Sequence, residues 1–277
     1  MKKSLITVFA VALFSIFPAS AQVFKLNPIT DSILAGAGSA IYGTDLILAK
    51  GLKVNQNLYQ GESFSLNDVN GFDAFFAREY NKTIDTISDV TLCSAFLFPG
   101  VLAGTEKSEW LTLGVMYAET LLLTQGIKEC IKLGVYRPRP YMYFDASTYP
   151  EKDVYEDHDW ANSFLSGHSS MTFACATFAT YTFSMYYPDS PWRFAVAGLT
   201  YGIAAGTAAL RMAGGMHFAT DVLCGAVLGT AIGFLVPWLH TFGTVDDAPG
   251  RQRVPRNNSV APMAMVSPLG IDFCIRF

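Results

Sequence analysis

From Val222 to Leu239 the chain runs for 18 residues without a charged side chain. About 20 such residues, rising 1.5 Å each as a helix, cross the hydrocarbon part of a bilayer. Four further apolar stretches lie upstream: Ile87–Ala103, Trp110–Ile127, Ser169–Tyr187 and Phe194–Leu210. All are too long for strands and are read as helices. Residues 34–49 make a sixth, shorter stretch, glycine-rich and interrupted by Asp45. The expected fold is all-α, a helical membrane bundle of five to six apolar helices. Composition agrees: 51% of the residues are hydrophobic and 15% charged, against about 25% charged in soluble domains.

The ends read differently. Met1-Lys2-Lys3, the apolar Leu5–Phe17 and Pro18–Ala21 have the three regions of a secretory signal peptide, with cleavage expected after Ala21. Loss of Lys2 and Lys3 would move the net charge from -4 to -6. That balance, with no basic stripe, excludes a nucleic-acid partner. The five cysteines, Cys93, Cys130, Cys175, Cys224 and Cys274, form no CxxC pair and read as packing residues. The expected organisation is a signal peptide over 1–21, one domain over 22–242, and a polar tail over 243–277 that turns strand-like from Gly270 to Phe277. Residues 51–82 read as an amphipathic interfacial piece. Glu119, inside an apolar stretch, is expected to face the bundle interior.

Three polar clusters interrupt this apolar background. Arg211-Met-Ala-Gly-Gly-Met-His217-Phe-Ala-Thr-Asp221 lies between the last two stretches. His217 and Asp221, at i and i+4, are expected on the first turns of a helix, the carboxylate holding one ring nitrogen and aiming the other outward. Gly214 and Gly215 let the backbone turn so that Arg211 returns beside His217. An isolated His–Asp pair of this kind is often only a satisfied histidine at a helix start. Lys132-Leu-Gly-Val-Tyr-Arg-Pro-Arg139-Pro140 leaves the second apolar helix. Its cations would serve as interfacial anchors, but the prolines on either side of Arg139 suit a fixed guanidinium fork better. Ser166-Gly167-His168 opens an apolar helix. Free amides and the positive dipole end make that start an anion site. Taken together, three cations, a helix N-terminus and two histidines suit phosphoryl transfer without a metal.

Lys-x6-Arg-Pro, Ser-Gly-His and Arg-x5-His-x3-Asp, in this order, resemble the three signatures of the type 2 phosphatidic acid phosphatase (PAP2) superfamily, over about residues 75–240. Leu165 stands where that family usually has proline, and Leu210 where it usually has serine. The resemblance implies a helical bundle with the active site at one membrane face. It implies His217 as the nucleophile that forms a phosphohistidine, Asp221 orienting it, and His168 as general acid and then base. It also implies that Lys132, Arg139 and Arg211 bind phosphate with Ser166 and the Gly167 amide. No cofactor and no catalytic metal are expected, and the sequence offers no usual ligand spacing.

The leading reading is a lipid phosphatase whose substrate is a phosphorylated lipid: undecaprenyl diphosphate, phosphatidylglycerophosphate, phosphatidic acid or a lipid A phosphate. A secreted non-specific acid phosphatase on the same scaffold is the alternative, favoured by the signal peptide and opposed by the uncharged runs. A vanadate haloperoxidase and a transporter fit less well. A bacterial inner-membrane location with a periplasm-facing site is expected. It rests on residues 34–49 not crossing the bilayer and on Arg251, Arg253 and Arg256 keeping the tail inside.

Overall fold

The computed structural model describes residues 23–52, 59, 62, 64–151, 159–241, 264–266 and 272–274. The expected signal peptide and most of the tail lie outside these residues. Seven α-helices are formed among them: α1 (Pro28–Asp45, continued by a π-helical turn, Leu46–Gly51), α2 (Gly71–Phe76), α3 (Lys82–Ala95), α4 (Trp110–Gly134), α5 (Gly167–Tyr186), α6 (Trp192–Ala213) and α7 (Ala219–Leu239). In the tail, β1 (Ala264–Val266) pairs antiparallel with β2 (Asp272–Cys274).

Helix starts are written in the sequence. Asn27, Asn70, Asn81 and Ser166 each cap a helix by accepting a backbone N–H, the commonest way to satisfy a first-turn donor. Asp221 reaches back to the Phe218 N–H at 2.8 Å and begins α7 in the same manner.

Helix α5 is the axis of the bundle. Sixteen of its 20 residues are buried, and it packs on α4, α6 and α7. Its many threonines do not leave orphan hydroxyls: Thr172, Thr177 and Thr182 each donate to a carbonyl one turn back. The contact with α7 runs backbone on backbone. A Cβ on Gly225, Gly229 or Gly233 would stand 2.6, 2.0 and 2.5 Å from the carbonyls of Ser166, Ser170 and Ala174. Small residues at this four-residue spacing permit the closest helix approach. They also fix the start of α7 against the start of α5, where Ser166 N–H donates to the Asp221 carbonyl at 3.1 Å.

Two structural facts bear on the expected bundle. First, residues 34–49 form a helix packed on the others. Asp31 touches His240, just past the end of α7. Further along, Gly38 faces Leu122, and Gly126 faces Ile41. Helix α1 therefore runs beside α4, from the far end of α7 toward the end where α5 and α7 begin. A glycine-rich helix does this well, because Gly38 and Gly126 let the two backbones touch. Second, among the described residues only Lys82–Leu102 and Ala219–Leu239 join full length to high mean hydropathy. Charged residues in α4 (Glu119, Lys128, Glu129, Lys132) and hydroxyls in α5 dilute the rest. Outward-facing apolar residues are nonetheless spread over several helices, among them Ile33, Val90, Leu111, Leu199 and Val227, each more than 60% exposed.

Candidate active site

The three polar clusters meet at one end of the bundle. The segment after α4 lies along the segment before α5: Arg137 N–H donates to Ala161 O, Arg139 N–H to Trp160 O, and Ser163 N–H to Arg137 O. Tyr141 N–H then reaches Gly215 O at 3.1 Å, which ties in the third cluster. Gly215 has φ +73, and a Cβ there would strike Glu79 O at 2.5 Å. Only glycine fits that turn. It brings Met216 and His217 back so that their N–H groups donate to Arg211 O. Of the two glycines, Gly215 is the one that supplies the left-handed turn.

His217 precedes α7 rather than sitting on it, and is 2% exposed. Its Nδ1 lies 2.7 Å from Ser163 O. A carbonyl only accepts, so Nδ1 carries the proton and Nε2 keeps its lone pair. Arg139 Nη1 stands 3.4 Å from that Nε2 and donates to Met216 O at 3.0 Å. Burial, then Arg139, Arg211 and Lys132, holds the His217 pKa well below the usual histidine value.

The expected grip of Asp221 on the ring is not the observed one. Asp221 Oδ2 is 3.9 Å from His217 Nδ1. It accepts instead from Ser163 Oγ at 2.5 Å, while Oδ1 pairs with Arg137 at 2.5 Å. A helical i,i+4 geometry cannot apply, since His217 lies before the first turn. Arg137 in turn pairs with Asp73 on α2 at 2.7 Å and lies over the Phe218 ring. The wholly buried Asp73 also accepts from the N–H and hydroxyl of Thr220. Burial works against the Asp73 charge, but Arg137 and Thr220 outweigh it and lower its pKa.

Arg211 pairs with Asp85 on α3 and donates to Ser88 Oγ at 3.0 Å, while its Nε is buried without a partner among the described residues. Arg139 pairs with Asp159. Burial would raise the Asp159 carboxyl, yet Arg139 and Lys132 hold it down to about 2. His168 Nε2 meets Asp89 on α3 at 2.7 Å, and His168 lies within electrostatic reach of His217, Arg211 and Lys132. The Ser166 side chain caps α5 and the neighbouring Ser169 Oγ is buried without a partner among the described residues. Every residue given a catalytic or phosphate-binding part in the sequence reading thus lies in or beside one site.

Several residues here were not singled out. Lys128, one turn before Lys132, is 8% exposed, and a Cβ on Gly167 would stand 3.0 Å from its Nζ. Its amine therefore sits against the start of α5. The i,i+4 spacing from Lys132 was the available signal. Arg137 lies in the same Arg-Pro-Arg-Pro run as Arg139. Asp73, Asp85, Asp89, Ser163 and Asp159 come from segments where no motif is legible.

The bundle is thus an all-helical protein that presents an imidazole lone pair to a set of buried cations and a helix N-terminus. Residues 113–244 match the family model of the PAP2 superfamily. The chain is 40% identical over 165 residues to the lipid A 1-phosphatase of Porphyromonas gingivalis. That match covers 59% of this chain and 32% of the relative, so the chain spans about a third of that protein. The transmembrane PAP2-type phosphatidylglycerolphosphate phosphatase of Bacillus subtilis aligns with a TM-score of 0.35 at 20% identity, over 85% of this chain and 94% of that one.

Proposed function

We propose that the protein is a membrane phosphatase that hydrolyses a lipid phosphate through a phosphohistidine on His217, without a catalytic metal. The observation that carries this reading is the His217 tautomer. With Nδ1–H on Ser163 O, the Nε2 lone pair faces the cations that would hold a phosphoryl group. Nε2 attacks phosphorus in line with the departing oxygen. The P–O ester bond breaks and His168 gives its proton to the leaving alkoxide. Water, deprotonated by His168, then attacks phosphorus, and the P–N bond breaks to release phosphate and the free His217 imidazole. Lys132, Arg139, Arg211 and the Ser166–Gly167 helix start neutralise the equatorial oxygens. The unpartnered Arg211 Nε and Ser169 Oγ supply donors with no acceptor of their own.

A lipid A 1-phosphate is the first substrate to assay, after the name of the Porphyromonas relative. Phosphatidic acid, phosphatidylglycerophosphate and undecaprenyl diphosphate follow. Purified protein in detergent should release phosphate from at least one of them in excess EDTA, and vanadate should inhibit. An absolute requirement for added Mg²⁺, or no release from any, would overturn the proposal. The secreted acid phosphatase remains a second reading, because only two described segments are apolar enough to span. Full activity and solubility without detergent would establish it.

We place the site on the periplasmic side of the inner membrane. Asp31 and His240 lie together at the end of the bundle opposite the site, so the N-terminal lead and the tail share one side. Arg251, Arg253 and Arg256 argue that this side is cytoplasmic. For a bundle that spans, this reading keeps the N-terminus on the cytoplasmic side, whereas cleavage of a translocated signal after Ala21 would put the site in the cytoplasm. A cysteine at position 257 should resist an impermeant maleimide in intact cells and one at position 153 should react. Reverse labelling would put the site in the cytoplasm and restore the signal peptide.

A further inference from the structure

At the opposite end of the bundle, three ligand-bearing side chains converge where no phosphate chemistry is placed. Asp31 comes from the first turn of α1, Glu119 from within α4, and His240 from the residue that caps α7. Their candidate ligand atoms all lie within 4.8 Å of one another. His240 Nε2 is 2.9 Å from Asp31 Oδ1 and 3.4 Å from Glu119 Oε2.

The protons make this cluster unusual. His240 Nδ1 lies 2.8 Å from Val236 O, so Nδ1 is the donor. In the neutral ring, Nε2 is then a bare lone pair aimed at two carboxylates. Glu119 is 1% exposed, and neither of its oxygens has a hydrogen-bond partner among the described residues. A carboxylate buried in this way is costly unless a cation meets it.

We propose that Asp31, Glu119 and His240 bind a divalent first-row cation of the zinc class, which fastens α1 to α4 and α7. One imidazole and two carboxylate oxygens are a three-ligand set suited to Zn²⁺, and two carboxylates balance its charge. With bonds of about 2.0–2.1 Å, tetrahedral ligand atoms stand roughly 3.4 Å apart, near the separations seen. The Nδ1–H to carbonyl contact is the usual support of a metal-bound histidine, since it fixes the tautomer. Asp31, at 20% side-chain exposure, leaves an entry path.

The test uses untagged full-length protein in detergent, stripped with EDTA and then titrated with Zn²⁺. Wild type should bind one equivalent more than His240→Ala. Glu119→Gln, which keeps the side-chain volume, should weaken binding by at least about 100-fold, more than loss of a second-shell partner does. Added Zn²⁺ should raise the Tm of wild type and leave that of Glu119→Gln unchanged. Co²⁺ in wild type should give the visible absorption of a four- or five-coordinate site, a readout independent of how the variants fold. Equal Zn²⁺ binding by wild type and Glu119→Gln, or none by wild type, would overturn the proposal. Phosphatase activity should be the same with and without the ion, so the two proposals stand or fall separately.

Discussion

Asp221 Oδ2 stops 3.9 Å short of His217 Nδ1, and the carboxylate is occupied by Ser163 and Arg137. Asp221 therefore acts on the histidine through the loop that carries Ser163. Its hydroxyl is held by the carboxylate, and its carbonyl holds the ring. Arg137 completes the chain by joining Asp221 to Asp73. His217 is positioned by residues on α2, the loop after α4, the segment before α5, and α7.

This arrangement makes Arg137 a positioning residue. Breaking a buried pair by removing one partner typically costs about 3–5 kcal/mol, and a displacement of the nucleophile by about 1 Å can cost 10²-fold in rate. Arg137→Gln should lower kcat by roughly 10²-fold with little change in KM. Arg137→Lys should recover only part, because it cannot bridge two carboxylates with a planar fork. A large rise in KM at unchanged kcat would instead make Arg137 a phosphate ligand.

The two histidines should separate by leaving group. His168→Ala should lower kcat/KM severely for a lipid alkoxide, which needs a proton as it leaves, and mildly for p-nitrophenyl phosphate, whose phenolate does not. His217→Ala should lose roughly 10³-fold or more on both. Equal losses of kcat/KM on both substrates for His168→Ala would remove its role as general acid.

The pH dependence follows from the depressed His217 pKa. In the unfolded chain an imidazole takes up a proton near pH 6.5, while the folded one resists it. Its contribution to stability is therefore present above about 6.5 and is lost as the pH falls below that value. The same depression keeps Nε2 available in acid. For p-nitrophenyl phosphate, kcat/KM corrected for the substrate's own ionisation should show no break near pH 6.5. A break there in wild type, absent from His168→Ala, would assign it to His168; one that persists in His168→Ala contradicts the neutral nucleophile.

Much of this site is legible in the sequence because its chemistry is concentrated in short motifs. Lys132, Arg139, Ser166, His168, Arg211 and His217 are charged or polar residues at helix ends in an otherwise apolar chain. Their partners are less visible. Asp73, Asp85 and Asp89 sit on short or mixed helices, where an acid looks like any solvated residue until α2 and α3 close over the site. The path of α1 is hard to read for a related reason: its glycines lower its apparent apolar content, while Gly38 on α1 and Gly126 on α4 create the close contact that joins the two helices.

The most direct test of the account is to trap the covalent intermediate. His168→Ala should still be phosphorylated by p-nitrophenyl phosphate, since that leaving group needs no acid. It should hydrolyse the adduct slowly, having lost the base for water. An alkaline quench followed by peptide mass spectrometry should find one acid-labile phosphoryl group on His217, and none in the His168→Ala, His217→Ala double variant. Phosphate on any other residue, or steady turnover by His217→Ala at more than about a tenth of the wild-type rate, would contradict a nucleophilic His217.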